Sequence, residues 1–255
     1  MRFLGHSTVR IEIGGRVVLT DPVLTARVGP LVRVVPLPDP ATWADVDLVL
    51  ISHLHGDHLH LPSLRLVRDA RIVVPRGAGA WLRRKGFPRV EELGVGERLV
   101  DGDLTVTAVH AEHSGHRWGP RWTHGPHAPA VGHVLEAGKR VYVAGDTDIY
   151  DGMAGMGPVD VALLPVWGWG MTLGPGHLDP ARAARAVELI RPRIAVPVHW
   201  GTLALPGVAR TARMRRLLSE PGHDFAAAVS NAAVSNGTEV IVALPGTEVT
   251  HEPRT

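Results

Sequence analysis

The chain has 255 residues, 45% of them hydrophobic and 20% charged, with no cysteine and a formal net charge of +2. This composition predicts a soluble globular protein with a sizeable core, gives no electrostatic basis for nucleic-acid binding, and excludes disulfides and thiolate metal ligands. No apolar run is long enough to span a membrane, and the N-terminus becomes charged too early for a signal peptide, so we expect a cytoplasmic protein.

Two series of strands are predicted along the chain. The first begins with a hairpin that turns at Gly14-Gly15, and the second contains a hairpin that turns at Ala137-Gly138. Further strands are expected at 46–52, 70–75, 104–110, 159–167, 194–200 and 238–244.

Helices are predicted between these strands. They are expected from Pro62 onward and at 77–87, 178–192, 208–218 and 222–235. In the first helix Leu64, Leu66 and Val67 are predicted to face inward. The helix at 178–192 has the clearest start, with Asp179 as N-cap and Pro180 as its first residue.

Each series starts with hairpins and ends in strand–helix alternation. This order favours an α/β (α+β) fold in which two mixed sheets pack together with helices outside. No linker or short repeat divides the chain, so we expect a single domain over residues 1–255.

The stretch ISHLHGDHLH at 51–60 follows the apolar run VDLVLI directly. Residues two apart in an extended segment point the same way, so His53 and His55 can reach one metal ion. After a turn at Gly56, Asp57 and His58 can face a second ion. Imidazole and carboxylate groups suit divalent zinc, manganese and iron, with zinc the first expectation.

Three later residues at predicted strand ends complete two sets of ligands. His113, Asp146 and His199 each follow an apolar strand, where side chains can converge on one rim of a layered fold. The sequence predicts one ion on His53, His55 and His113 and a second on Asp57, His58 and His199, with Asp146 bridging. For His113, the nearby His110 remains an alternative.

In these features the sequence resembles the metallo-β-lactamase superfamily over nearly its whole length. HLHGDH fits the family's HxHxDH motif, and AGDT and HWGT carry residues like its bridging aspartate and last histidine. The resemblance implies a four-layer αββα sandwich with a dinuclear centre between the ends of its two sheets.

Finer motifs resemble one branch of that superfamily. GHSTVRIEIGGRVVLTDP, GHLDPARAA and PVHWGT are similar to ascorbate-6-phosphate lactonase-like and N-acyl-phosphatidylethanolamine phospholipase D-like proteins. The resemblance implies that His177 lies near the active site and binds substrate or supplies a proton. His6 and Asp21 match recurring positions, and Asp21 is expected to be a structural hydrogen-bonding residue.

Other histidines and aromatic residues receive weaker assignments. His60 is expected to be solvated or to contact a ligand residue, and His133 to be packed within a strand. The loop 114–130 either lines a substrate pocket or is a mobile surface loop, and Arg117 and Arg121 could place positive charge near the rim. Trp169 is a candidate for the pocket wall, and Trp167 is expected to pack in the core.

The predicted function is a metal-dependent hydrolase. Two divalent ions can supply a bridging hydroxide as nucleophile, and no GxSxG serine or cysteine competes for that role. Asp57 and His177 are the candidate catalytic residues. The expected substrate is a small lactone or ester, phosphorylated or not. Alternatives are a phosphodiesterase of the phospholipase-like type and a non-catalytic binding protein, and an assembly of identical chains stays open.

Overall fold

The computed structural model describes residues 1–117, 125–231 and 237–249. In chain order its strands are β1 (Arg2–Gly5), β2 (Thr8–Ile13), β3 (Arg16–Thr20), β4 (Arg27–Val28), β5 (Leu31–Arg33), β6 (Leu48–Leu50), β7 (Arg71–Pro75), β8 (Val90–Leu93), β9 (Arg98–Asp101), β10 (Leu104–His110), β11 (Val131–Glu136), β12 (Arg140–Val143), β13 (Val161–Pro165), β14 (Ile194–Val198), β15 (Leu203–Ala204) and β16 (Glu239–Val240).

The α-helices are α1 (Leu61–Leu66), α2 (Gly79–Arg84), α3 (Pro180–Ile190), α4 (Ala212–Ser219) and α5 (Pro221–Asn231). Short 3-10 helices lie at Pro40–Thr42, Asp151–Gly155 and Val208–Arg210. None of the helices in the described ranges is long and apolar enough to cross a membrane.

Two mixed sheets form the body of the fold. The first has the order β1-β2-β3-β6-β7-β8 and is antiparallel up to β3 and parallel from there to β8. The second has the order β16-β14-β13-β12-β11-β10-β9, antiparallel from β9 to β12 and parallel beyond. A small third sheet, β15-β5-β4, accompanies them.

Apolar side chains fill the spaces between four layers. Phe3, Ile11 and Leu50 of the first sheet share one buried cluster with Val106 and Val196 of the second. A second cluster joins the outer face of the second sheet to α3 and α5, and a third joins the first sheet to α1 and α2. Full burial of one such Leu or Val side chain contributes about 1.5–3 kcal/mol. The predicted αββα sandwich is thereby confirmed.

Local signals account for the first hairpin and for the start of α3. Gly14 and Gly15 have φ of 57° and 68°, and a type I′ turn requires positive φ at both central positions. At α3 the Asp179 side chain accepts a hydrogen bond from Arg182 N (2.8 Å), and Pro180 opens the helix. Both predictions are confirmed.

The first predicted strand is in fact two strands. β1 and β2 pair antiparallel around His6 and Ser7, and His6 has a φ of 56°. The corner residues His6 and Ser7 are neither glycine nor proline, so the sequence signal for this turn was limited to Gly5, which has a φ of 110°. Strands β4, β5, β8, β9 and β15 were also missed, because two to four residues are too few to show a period.

Several predicted elements differ in detail or end outside the described residues. Leu64 and Val67 face inward as predicted, but Leu66 is 47% exposed, because residues three apart share one face of a helix and Leu66 lies on another. The helix expected at 208–218 begins as a 3-10 turn, and α4 starts after Thr211, whose side chain accepts from Met214 N. The last strand is two residues long, and the part of helix 222–235 beyond Asn231 lies outside the described residues.

His133 is a buried histidine in the core between the sheets. It lies on β11 two residues from both Val131 and Leu135, which face that core, and it is 1% exposed. Neither ring nitrogen has a hydrogen-bond partner among the described residues. Burial lowers the pKa of His133 to about 4. The prediction of a packed residue is confirmed, and the ring is neutral at pH 7.

This burial predicts a pH-dependent free energy of unfolding. Between pH 6.5 and 4 the unfolded chain binds a proton at His133 that the folded chain does not, so acidification costs stability, by about 3 kcal/mol in total. His133→Met should remove that part of the pH dependence. Urea unfolding of both proteins with a chelator present, from pH 7 to 4, measures it, and parallel curves would contradict it.

Candidate metal centre

The candidate site lies at one edge of the sandwich, where strands of both sheets end. Ser52, just beyond β6, joins the two sheets there. Its main-chain NH and hydroxyl donate to the two carboxylate oxygens of Asp21 (2.8 and 2.6 Å), and its carbonyl accepts from Val131 N of the second sheet (2.9 Å). Loops that leave these strand ends are thus held on a rigid base.

One group of donors consists of His53, His55 and His113. His55 Nδ1 is 3.0 Å from His53 Nε2 and 3.1 Å from His113 Nε2. His113 donates from Nδ1 to Gly176 O (2.7 Å), so its Nε2 carries the lone pair. Nδ1 of His53 lies 3.0 Å from the Ser52 hydroxyl, which leaves its Nε2 facing the group.

A second group consists of Asp57, His58 and His199, with His6 beside them. His58 Nε2 is 3.2 Å from His199 Nε2, and Asp57 Oδ2 is 3.8 Å from His199 Nε2. His6 Nε2 lies 3.1 Å from Asp57 Oδ2. His58 Nδ1 is bonded to Asp21 (2.8 Å) and His199 Nδ1 donates to the carbonyl of residue 167 (2.7 Å), so both Nε2 atoms point into the site.

Asp146 lies between the two groups. Its Oδ2 is 3.2 Å from His58 Nε2 and 3.9 Å from His53 Nε2, while its Oδ1 is 3.4 Å from His199 Nδ1. One carboxylate thus approaches donors of both groups. Gly145, with a φ of 64°, allows this approach, because a Cβ there would lie 2.4 Å from that of Ser52.

Burial keeps the first group neutral. It lowers the pKa of His113 to about 4, lowers that of His55, and lowers that of His53 well below its ordinary value. Neutral imidazole is the form that binds a divalent ion.

Carboxylates create a strongly negative potential in the second group. Burial by itself raises the pKa of Asp57 and Asp146, but the surrounding histidines outweigh it and hold both well below the ordinary value. Burial likewise lowers the pKa of His58, yet Asp146 and Asp21 raise it well above its ordinary value. A positive charge is therefore favoured here, and a metal ion that binds would displace the proton.

The donor chemistry fits divalent metal ions. Nitrogens of a tetrahedral zinc site lie about 3.3 Å apart, given Zn–N bonds near 2.0–2.1 Å, and the imidazole nitrogens in both groups are 3.0 to 3.2 Å apart. Two lone pairs at that distance would repel, so either a proton or a metal ion has to lie between each pair of nitrogens, and a metal ion would replace the proton. Asp146 Oδ1 is also buried without a hydrogen-bond partner in the described ranges, a costly state that a metal ion would relieve.

His177 lies beside this cluster. Its Nδ1 donates to the carbonyls of Gly174 and Pro175 (3.1 Å each), and its Nε2 is 3.4 Å from Asp146 Oδ2. Burial lowers the pKa of His177, but the hydrogen bond and charge of Asp146 outweigh it, and the pKa is raised. His177 also lines a cavity of about 650 Å³ that opens onto the cluster.

Three other candidate residues, His110, Asp21 and His60, differ in their position relative to the cluster. His110 is exposed and pairs with Glu112 (3.2 Å), away from the cluster that His113 joins. Asp21 bonds Ser52 and His58, as a structural residue should. His60 is buried rather than solvated, because its Nδ1 bonds the Ser63 hydroxyl (2.8 Å).

Other predictions concern the residues around the opening of the cavity. Arg117 does not face the cavity, because it donates to the carbonyls of Leu54 and Leu59 (2.9 and 2.6 Å). Trp169 lines the cavity, and Trp167 packs against the second sheet's outer cluster. The part of the 114–130 loop at 118–124, with Arg121, lies outside the described residues, and its described part does not line the cavity.

All seven predicted ligand residues lie together in the structure, and their role as ligands stays a prediction. They occur in overlapping groups that could each hold one metal ion. His6 joins one of these groups, although the sequence predicted only that it matches a recurring position of the branch. Its sequence signal was weak, a single histidine in the run LGHST, and only the fold brings it to Asp57, 51 residues along the chain.

Comparison with known proteins agrees with this geometry. A family model described as beta-lactamase superfamily domain matches residues 16–200. A UPF0173 metal-dependent hydrolase of Pyrococcus abyssi is 35% identical over 212 residues, which cover 79% of this chain and 84% of that protein.

Solved structures share the fold. Igni18, a metallo hydrolase from Ignicoccus hospitalis, matches with a TM-score of 0.74 at 24% identity, covering 99% of this chain and 98% of that one. CmlA, a diiron beta-hydroxylase from Streptomyces venezuelae, matches with a TM-score of 0.67 at 21% identity, covering 95% of this chain and 52% of that one. The chain belongs to the metallo-β-lactamase superfamily and, within it, to the UPF0173 family of metal-dependent hydrolases.

Proposed function

We propose that this hydrolase holds two divalent metal ions and cleaves an ester or lactone bond of a small molecule. One ion would be held by His53, His55 and His113. The other would be held by Asp57, His58 and His199, with Asp146 shared. Two such ions, when bound, supply a water of lowered pKa and stabilise negative charge that develops on a carbonyl oxygen.

The position of Asp146 carries the proposal of two ions. A single metal site needs three or four donors, whereas here two groups of donors lie on either side of one carboxylate. Its Oδ2 lies 3.9 Å from His53 Nε2 of the first group and 3.2 Å from His58 Nε2 of the second. Zinc is the first expectation, and the same donors accept manganese and iron.

The protein's own residues fix the orientation of these donors. Asp21 holds His58, Gly176 holds His113, and the carbonyl of residue 167 holds His199, each through Nδ1. Such outer hydrogen bonds select the tautomer and the ring orientation of a ligand histidine. His6, in the turn between β1 and β2, orients the Asp57 carboxylate through its Nε2.

His177 is proposed to act on the leaving group. Its Nδ1 proton is engaged with main-chain carbonyls, so Nε2 is the atom that faces the cavity side of Asp146. From there it can hold a proton near the departing oxygen. Asp57 is proposed to act as ligand and to orient attacking water.

The fold alone does not determine the reaction. CmlA shares the architecture and is named a diiron beta-hydroxylase, so hydrolysis has to be tested against oxygen chemistry. The phosphodiesterase alternative gains no support from the cavity, whose described lining carries no lysine or arginine. Anaerobic assays with p-nitrophenyl acetate and bis-p-nitrophenyl phosphate separate the three reactions.

Metal content gives the first test. The loaded protein should hold two equivalents of zinc by elemental analysis, and chelation should abolish ester hydrolysis. His113→Ala should lower the content to about one equivalent and kcat/KM at least a hundredfold. His110→Ala, three residues away and exposed, is the matched control and should change neither. One equivalent in the wild type, or equal losses in both variants, would contradict the proposal.

The hydrogen bond from Asp21 gives a second test. Asp21→Asn replaces one carboxylate oxygen by an NH2 group, which cannot accept from His58 Nδ1 while the remaining oxygen accepts from Ser52 N. Loss of such a partner costs about 10–100-fold in metal affinity. Competition with a chelating dye measures the affinity, and circular dichroism checks the fold. Asp103→Asn, in the exposed turn before β10, serves as control. An unchanged affinity for Asp21→Asn would argue against the assigned ligand role of His58.

The role of His177 is tested by varying the leaving group. If His177 protonates the departing oxygen, His177→Ala should lower kcat for an ethyl ester about 10²–10³-fold, because an alkoxide leaves poorly without a proton. The loss for a p-nitrophenyl ester should be less than tenfold. Equal losses for both esters would assign His177 to binding instead.

A further inference from the structure

We infer that the substrate is a neutral ester or lactone with an apolar chain of several carbons, bound in the cavity beside the metal centre. This inference rests on the proposed ester hydrolysis and names the class of substrate. The sequence left open whether the substrate is phosphorylated, and this inference favours one that is not. Its basis is the shape of the cavity, its apolar walls and the charges that line it.

The cavity is continuous with the candidate catalytic groups. His55, Asp57, Asp146, His177 and His199 form its floor, and its volume is about 650 Å³. Pockets of this size enclose small organic molecules. A molecule bound there would place one end against the metal centre and the rest against the walls.

Three segments build walls that are almost entirely apolar. Leu31 and its neighbours come from the hairpin of β4 and β5, Trp169 and Met171 come from the loop after β13, and Leu205 follows β15. Trp169, Met171 and Leu205 are exposed by 39%, 42% and 37%. Single exposed apolar residues are ordinary, but three around one cavity indicate that a ligand covers them.

The loop that carries Trp169 has a fixed shape. Trp167 donates from its indole NH to Gly170 O (3.1 Å), and Arg213 donates to Met171 O (3.0 Å). Both bonds hold the main chain of the loop, so the side chains of Trp169 and Met171 are presented to the cavity. A wall that is already formed favours binding, because no ordering cost has to be met.

No lysine or arginine of the described residues lines the cavity. Its charged groups are Asp57 and Asp146 at the floor, with the histidines beside them. Arg33, the basic residue of β5, turns away and donates to Val23 O (3.0 Å). A phosphate or carboxylate on the distal part of a substrate would meet apolar walls and no counter-ion, which is costly. A neutral, apolar chain packed against these walls avoids that cost.

Chain-length dependence provides the test. Burial of each methylene should raise kcat/KM of the metal-loaded wild type about fourfold along p-nitrophenyl acetate, butanoate and hexanoate. Trp169→Ala and Leu205→Ala should flatten this series. Leu66→Ala, at a leucine on α1 that is also exposed and lies outside the cavity lining, is the matched control and should keep the full slope. The p-nitrophenyl monoester of adipic acid, which ends in a carboxylate, should react at least tenfold more slowly than the hexanoate.

A second measurement does not depend on hydrolysis. Calorimetric titration with 2-propanone, 2-pentanone and 2-octanone, which are neutral and cannot be hydrolysed, should show affinity rising with chain length in the wild type and not in Trp169→Ala. Rising affinity without ester hydrolysis would overturn the proposed function and keep the pocket assignment. Hydrolysis with no dependence on chain length, or a preference for the anionic ester, would overturn the substrate assignment and keep the function.

Discussion

The close contact between the two sheets at Ser52 is the constraint on which the site depends. Ser52 bonds Asp21 at the end of β3 through its NH and hydroxyl, and it accepts from Val131 of the second sheet. Residue 145, which packs against Ser52, has to be glycine, because a Cβ there would lie 2.4 Å from the Cβ of Ser52. Because both sheets end at this contact, ligand residues from both can reach common points. Further apart, the sheets would leave His53, His55, Asp57 and His58 on one side and His113, Asp146 and His199 on the other.

Buried charge is the cost of this arrangement. Asp57, Asp146 and His58 are almost completely removed from solvent, and an isolated buried charge is strongly unfavourable. The histidines offset part of that cost by holding the carboxylates ionised, and Asp21 and Asp146 hold a positive charge on His58. Bound divalent ions would offset more of it. Metal binding and stability of the fold are therefore expected to be coupled.

Polar and apolar parts of the site come from different places in the fold. The donors come from strand ends and short turns of the two main sheets, which are rigid. The cavity walls come from the small third sheet and from the loop that carries Trp169. This division separates the chemistry of bond cleavage from the choice of substrate. Proteins of one fold can then keep the metal-binding residues and vary the cavity walls. This agrees with the different activities named for proteins of this architecture.

The sequence by itself determined the fold class and the identity of the clustered donors. The periodicity of long strands, the Gly14-Gly15 turn and the N-cap at Asp179 are local signals, and so is the spacing within HLHGDH. Tertiary structure decided what depends on distant residues. It separated His113 from His110, brought His6 to Asp57, turned Arg117 away from the cavity and formed the apolar walls. Contacts between residues 50 or more positions apart follow from sheet packing, and no local pattern encodes them.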